Sequence, residues 1–386
     1  MKVVIAPDSF KGSLSAPDVA AAISRGVRQV LPALTPVCVP MADGGEGTVD
    51  ALVTARQGQR VTCQVHSPYG PQTAASYGLL EGGQVAVIEV AAASGIQFMT
   101  PTSDVRLASS LGTGELIEDA LARGAKTIIV GLGGSGTNDG GAGIAQALGV
   151  RFYDAQGQLL PLGGAALRHL ATIDCTALDP RVGQATFILA SDVTNPLVGP
   201  NGASAVFGPQ KGATPAMVAE LDEALAQYAA VVTATLGRPI AARPGAGAAG
   251  GCGAGLLAFT NATLRPGVEM VLNASHFESL AADADLVFTG EGALDFQTRF
   301  GKTPYGVAQA VRRVAPQATV VGLAGKVGDE IEALYAPVGP FDAIVAIASG
   351  AKTLEAAVRD TAADLTTTAA NLTRLYLAGR ARGATS

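Results

Sequence analysis

The stretch VVIAPDSFKGSLSAPDVAAAISRGVRQV (residues 3–30) decides the fold. Its first four residues form a short, mostly β-branched run that reads as a buried strand, and a polar loop follows. Ser15, with Asp18 three residues on, forms a capping box, and Val19, Ile23, Val27 and Val30 then recur at helical spacing. The same strand, loop and helix order returns along the chain. Apolar runs at 37–39, 127–130, 286–289, 319–323 and 343–347 are separated by helix-like segments in several places. Such alternation predicts a parallel sheet flanked by helices.

Residues 61–90 break that rhythm. Three strand-like runs, 61–65, 73–80 and 85–90, are joined by short turns around PYGP (68–71) and EGG (81–83), which predicts an antiparallel meander. The expectation is therefore an α/β chain of two lobes with a working cleft. Residues 1–60 and 275–386 make one lobe, and 61–274 make a mixed α/β lobe inserted into it; 100–150 fit either. Thr214 and Pro215 open a helix with Val218, Leu221, Leu225 and Tyr228 on its apolar face and Gly237 as its stop. The Gly/Ala stretch 245–255 reads as a close-packed loop rather than a linker.

Composition narrows the function. A chain of 386 residues exceeds what one core supports, and 48% hydrophobic against 15% charged residues describes a packed globular protein. A net charge of −6 gives no reason to expect nucleic acid as a partner. Cys38, Cys63, Cys175 and Cys252 are scattered without metal-ligand spacing, so neither a zinc site nor a disulfide scaffold is indicated. The N-terminus runs at once into a short strand instead of a signal peptide, and no apolar run is long enough to span a bilayer. A cytoplasmic protein without a membrane partner is the expectation.

The lysines carry the first chemical signal. Of seven in the chain, Lys11, Lys211, Lys302 and Lys326 each sit directly beside a glycine, in segments that read as loops. Glycine lets backbone N–H groups approach an anion and lysine adds the point charge, which suits phosphate or carboxylate. Acids follow predicted strands: Asp8 after the first, Asp43 and Glu46 after the second, Glu291 and Asp295 after 286–289. Ligands of parallel α/β sheets bind beyond the carboxyl ends of the strands, where these groups suit magnesium binding and general-base work. Two familiar patterns compete. Residues 131–136 fit G-x-G-x-x-G, which keeps an NAD-dependent dehydrogenase of a small hydroxy acid open, beside a non-enzymatic organic-acid binding protein. Gly301-Lys302-Thr303 evokes a P-loop, but Phe296 stands where the pattern needs its first glycine.

Taken together, APDSFKGSLS (6–15), ADGGEGT (42–48), GGSGTNDGG (133–141), SDVTNPL (191–197) and FGPQKGA (207–213) resemble the bacterial glycerate kinases related to the glycerate 2-kinases of glucarate and glyoxylate metabolism. A sixth motif runs from Thr289 through Glu291, Asp295, Gln297 and Thr298 to Lys302. It departs at Ala293, where the family usually has a basic residue, so a positive charge is missing from a phosphate or carboxylate site. Gly136, commonly Ala, and Ser191, commonly Cys, are small-for-small departures. The resemblance implies two α/β lobes, one of them Rossmann-like, parallel and discontinuous. It implies ATP-dependent phosphorylation of D-glycerate, tilted toward O2 over O3, with ATP and Mg2+ as cofactors; a homodimer stays open. Asp8, Lys11, Asp43, Asp192, Asp295 and Lys302 are the implied catalytic set, with Asp43, Glu46 and Glu291 toward the metal. Ser9, Ser13, Gly44, Gly45, Gly133, Gly134, Ser135, Thr137, Asn138, Asn195, Lys211, Gln297 and Thr298 are the implied substrate and nucleotide contacts. Which carboxylate is the base stays undivided.

Overall fold

The protein was analysed as a computed structural model, which describes residues 1–383. The chain is α/β and divides into two compact units. The first holds Met1–Asp43, Asp50–Gln57 and the chain from Val268 onward; the second holds Gly44–Val49 and Gly58–Gly267, and with them residues 100–150.

In the first unit a parallel five-stranded sheet runs in the order Ala343–Ala346, Thr319–Val327, Leu286–Leu294, Val3–Ile5, Val37–Cys38. The first halves of the central strands, Val3–Ile5, 286–289 and 319–323, are mostly apolar and buried, as a covered parallel sheet requires. Val3, Ile5, Leu286, Phe288, Val321 and Leu323 pack with Val19, Ile23 and Val27 of the helix Ala16–Val30 and with Leu365 and Ala369 of the helix Leu354–Gly383. Each such side chain contributes about 1.5–3 kcal/mol on full burial. Ser15 caps the first helix as expected: its Oγ accepts from the Asp18 amide at 3.3 Å and donates to Asp18 Oδ2 at 2.6 Å.

One expectation is corrected here. The apolar run 286–289 does not end in a glycine loop; the strand continues through Gly290, Glu291, Gly292 and Ala293 to Leu294, in parallel register with 319–327. Lys326, read as a loop residue, is therefore a strand residue opposite Ala293. The tight pairing tolerates the glycines and requires one of them, since a Cβ on Gly290 would overlap the Leu323 carbonyl oxygen.

The second unit is built on a six-stranded mixed sheet in the order Thr263–Arg265, Thr186–Ala190, Thr127–Gly131, Val85–Glu89, Gln72–Leu80, Gln59–His66. The first four strands are parallel and the last three form the antiparallel meander. The helix Pro215–Leu236 starts on Thr214, whose Oγ1 accepts from the Met217 amide at 3.3 Å. It carries Tyr228 against Phe152, edge to face at 6.0 Å. The Gly/Ala stretch is buried and leads into the helix Cys252–Phe259. Among the described residues no helix is long and apolar enough to cross a membrane.

Gly290→Ala is expected to destabilise the protein by about 2–4 kcal/mol, because a backbone carbonyl of a paired strand cannot yield as a side chain can. Thermal melting measures it; an unchanged Tm would show that the two strands can separate there at no cost.

Candidate active site

The carboxyl ends of the first unit's central strands gather the acids. Beyond Val3–Ile5 the chain stays beside its neighbour, the Ala6 amide bonding Phe288 O and the Asp8 amide bonding Gly290 O, both at 2.8 Å. That brings Asp8 to the end of the strand carrying Glu291. Asp8 is 5% exposed. Its Oδ2 accepts from Thr303 Oγ1 at 2.6 Å and its Oδ1 from the Ser9 amide at 2.6 Å. Lys302 caps the helix Thr303–Val314, and its Nζ lies 3.3 Å from Glu291 Oε1 and 3.6 Å from Asp295 Oδ1. Glu291 Oε1 is sealed from solvent and, though ion-paired, is not hydrogen-bonded.

Crowding sets the electrostatics. Burial, then the charge of Asp43, pushes Asp8 up to about 6 against the pull of Thr303, Ser9 and Lys11. Burial likewise pushes Glu291 up to about 7; Lys302 opposes this, while Asp8 and Asp43 add to it. Both carboxyls thus titrate near neutrality, the range a general base needs. Hard carboxylate oxygens, one of them sealed without a hydrogen bond, are the donor type that Mg2+ takes one or two of, completing its shell with phosphate oxygens and water. Among the described residues no group of three His, Cys, Asp or Glu side chains is assembled to hold a metal alone. One or two of the carboxyl groups at this strand end fit the smaller protein share of such a site.

Other expected residues of this unit are also placed. Lys11 is exposed on the first loop and Ser9 is half-buried. Ser13 is tied elsewhere: its hydroxyl lies 2.7 Å from both Val358 O and Thr361 Oγ1 on the last helix. Asp295 caps the turn Phe296–Phe300, its Oδ1 accepting from the Gln297 amide at 2.9 Å while its own amide donates to Thr298 Oγ1 at 3.0 Å. Thr303 was missed. Its signal was the Gly301-Lys302-Thr303 triplet, set aside for lacking a P-loop's first glycine.

The second unit carries its own polar group, after the strand Thr127–Gly131. Lys211 is 1% exposed, and its ammonium donates to Ser135 Oγ at 2.9 Å and Thr137 O at 2.7 Å. Burial lowers it to about 8. Asn138 Nδ2 donates to Ser204 Oγ at 2.9 Å. The buried Asp139 accepts from the amides of Ser110, Gly141 and Gly143 and from the Ser110 hydroxyl, none longer than 3.2 Å. Gly44 packs against a strand end, where a Cβ would meet Ala190, and Gly45 Cα blocks a side chain at Gly133; Gly134 is exposed. Asp192 is exposed, Asn195 Nδ2 donates to Asn201 O at 2.8 Å, and the charge of the exposed Glu46 adds to the burial that raises the half-buried Glu89. The G-x-G-x-x-G reading is not supported. A dinucleotide turn opens a helix directly, whereas the next helix starts only at Ala142, and a Cβ on Gly136 would press on the Gly95 carbonyl.

Comparison with known proteins identifies the family. A profile of the glycerate kinase family matches residues 3–377. The chain is 50% identical to a glycerate kinase of Halalkalibacterium halodurans, over 86% of this chain and 87% of that protein. It is 47% identical to a glycerate 2-kinase of Escherichia coli, over 93% of each. A solved structure from Salmonella typhimurium LT2, described as a glycerate kinase 2, superposes with a TM-score of 0.88 at 47% identity, covering 98% of this chain and 99% of that one.

The raised carboxyls make stability depend on pH with a definite sign. A carboxyl whose folded pKa lies above its unfolded value favours the fold when protonated. Its contribution is full below the unfolded pKa and is lost as pH rises through the folded one. Glu291→Gln is therefore expected to match the parent near pH ~4 and exceed it at pH ~8 by on the order of 1–3 kcal/mol. Melting curves across that window test it, and a difference that does not vary with pH would contradict the crowding.

Proposed function

Because the chain belongs to the glycerate kinase family, we propose that it transfers the γ-phosphoryl group of ATP to D-glycerate, at O2, giving 2-phosphoglycerate and ADP. The observation that supports this most is the Asp8, Glu291, Lys302 and Thr303 cluster on the carboxyl edge of a parallel sheet. In this reading Asp8 takes the proton of the glycerate hydroxyl, whose oxygen attacks the γ-phosphorus as the bond to the ADP oxygen breaks. A carboxyl near pKa 6, fixed by two donors, suits that step. Lys302 and Lys11 neutralise charge on the transferring group or hold the glycerate carboxylate, and most of the catalysis is positioning and electrostatics.

Asp43 and Glu291 would hold magnesium, whose chemistry there would be to offset the negative charge of the phosphate groups. Asp295 orders the 296–300 turn that leads to Lys302, so its part is positioning. In the second unit, Ser135, with the backbone of Gly133 and Gly134, is proposed as a substrate or nucleotide contact. Lys211 acts through Ser135 and Thr137, since its own ammonium is enclosed. The two compact units are taken as the two lobes of the enzyme.

Incubation with ATP, magnesium and D-glycerate, followed by phosphorus NMR, tests both the reaction and its position. A monoester on O2 couples to one proton and gives a doublet, whereas one on O3 couples to two and gives a triplet. A doublet is expected; no phosphorylated glycerate would overturn the activity, and a triplet the regiochemistry. Lys302→Ala is expected to lower turnover by about a hundredfold or more. Its Tm should change little, because Glu291 is already close to neutral and can take up a proton when its partner is gone. Collapse of the fold would instead make Lys302 a structural residue.

A further inference from the structure

We propose that Lys326, to which no role has been given above, is a further anion ligand of the first unit's site, contacting either the phosphate oxygens of the nucleotide or the carboxylate of glycerate. The inference rests on the kinase reading and extends it to a residue that the strand register brings to the same edge. Ala293 and Lys326 are direct partners in the parallel ladder, two residues beyond the Glu291–Ala324 pair. Paired residues of parallel strands point to one face, and residues two apart share it. Lys326 therefore stands on the face of Glu291, beside a position whose methyl group leaves room for a ligand.

The neighbourhood agrees. A Cβ on Gly325 would lie 2.8 Å from Gly292 O, so no side chain at that position separates the two strands. A Cβ on Gly292 would lie 3.8 Å from the Lys11 amide, which puts the first loop at the same strand end, reached from the other face of the strand. Lys326 is exposed, and among the described residues its ammonium makes no hydrogen bond or ion pair. Lys302 differs, being engaged by Glu291 and Asp295.

Charge makes the need concrete. Asp8, Asp43, Glu291 and Asp295 bring four carboxyl groups to this unit's site, and ATP and glycerate are both anions. Lys302 shares its charge with the protein's own acids, so Lys11 and Lys326 would add ammonium groups beside it to meet an incoming anion. A competing account is that Lys326 guards a strand edge, since the ladder to 343–346 ends at Ala324 and the strand beyond it is unpaired on that side. A guard would affect aggregation and leave substrate affinity alone.

The experiment compares Lys326→Met, which keeps the aliphatic stem and loses the charge, with Lys326→Arg and with Ala293→Lys/Lys326→Met, which moves the ammonium to the paired strand. Steady-state kinetics are measured with ATP and with glycerate varied separately, and Tm is measured alongside. Loss of one charged contact is expected to raise one KM about tenfold with Tm unchanged. Arg and the transposed lysine should recover most of it. A rise in the KM for ATP assigns the phosphate, and a rise in that for glycerate the carboxylate. Unchanged values for both substrates in Lys326→Met, while the parent phosphorylates glycerate, overturn the inference and leave the kinase reading standing. An inactive parent overturns the reading on which it rests. A fall in Tm that accounts for the kinetic loss would make Lys326 structural and also overturn it.

Discussion

Two carboxyl groups are forced together at the end of a parallel sheet, and most of the first unit's local design answers that constraint. Asp8 and Glu291 arrive side by side at the strand ends, and burial raises both, with Asp43 adding to the shift at Asp8 and Asp8 and Asp43 adding to it at Glu291. Left alone, two buried charges of one sign would cost more than a domain's stability can carry. The surroundings reduce that cost without removing it. Thr303 and the Ser9 amide satisfy Asp8, Lys302 pairs with Glu291, and the Asp295 turn leads into Lys302. A site fully neutralised by its own protein would have nothing left for a cation or a hydroxyl proton. Residual crowding is what makes this one chemically useful.

The second unit solves the converse problem. Its buried ammonium, Lys211, is enclosed by a hydroxyl and a carbonyl rather than by a carboxylate in contact, while the buried carboxylate Asp139 is enclosed by amides and a hydroxyl. Each charge is met by dipoles fixed in glycine-rich turns, which pack too closely to admit side chains at Gly133 and Gly136. Glycine density here reflects backbone packing around polar groups, and the resemblance to a dinucleotide fingerprint follows from composition.

What could be read from the sequence was whatever depends on local periodicity. The parallel strands, the meander at 59–89, the Ser15 cap and the helix from Pro215 all follow from alternation, helical spacing and capping chemistry within a few residues of one another. What could not be read depends on partners distant in the chain. The strand from Leu286 continues through Gly290 and Gly292 because a neighbour over thirty residues on pairs with it, and no local rule favours glycine in a strand. Ser13 looked like a ligand contact because it lies in a polar loop, yet it is within hydrogen-bond reach of a helix near the other end of the chain. Lys211 looked like an exposed turn lysine, and only the three-dimensional packing buries it.

Thr303 shows how a rejected motif can still carry information. The P-loop pattern was set aside for want of its first glycine, and the fold agrees, since Gly301 ends a turn and does not cradle a phosphate between a strand and a helix. Yet the physical reasons for the triplet survive. A lysine as N-cap followed by a threonine in the first turn places an ammonium and a hydroxyl at the positive end of a helix. In a P-loop those groups face a nucleotide and its metal; here they face Glu291, Asp295 and Asp8. The helix terminus thus stabilises the carboxylates that would work on the phosphate, and does not cradle the phosphate in a glycine loop. One short sequence can serve phosphoryl chemistry from either side of the metal, and only the strand ends opposite it decide which.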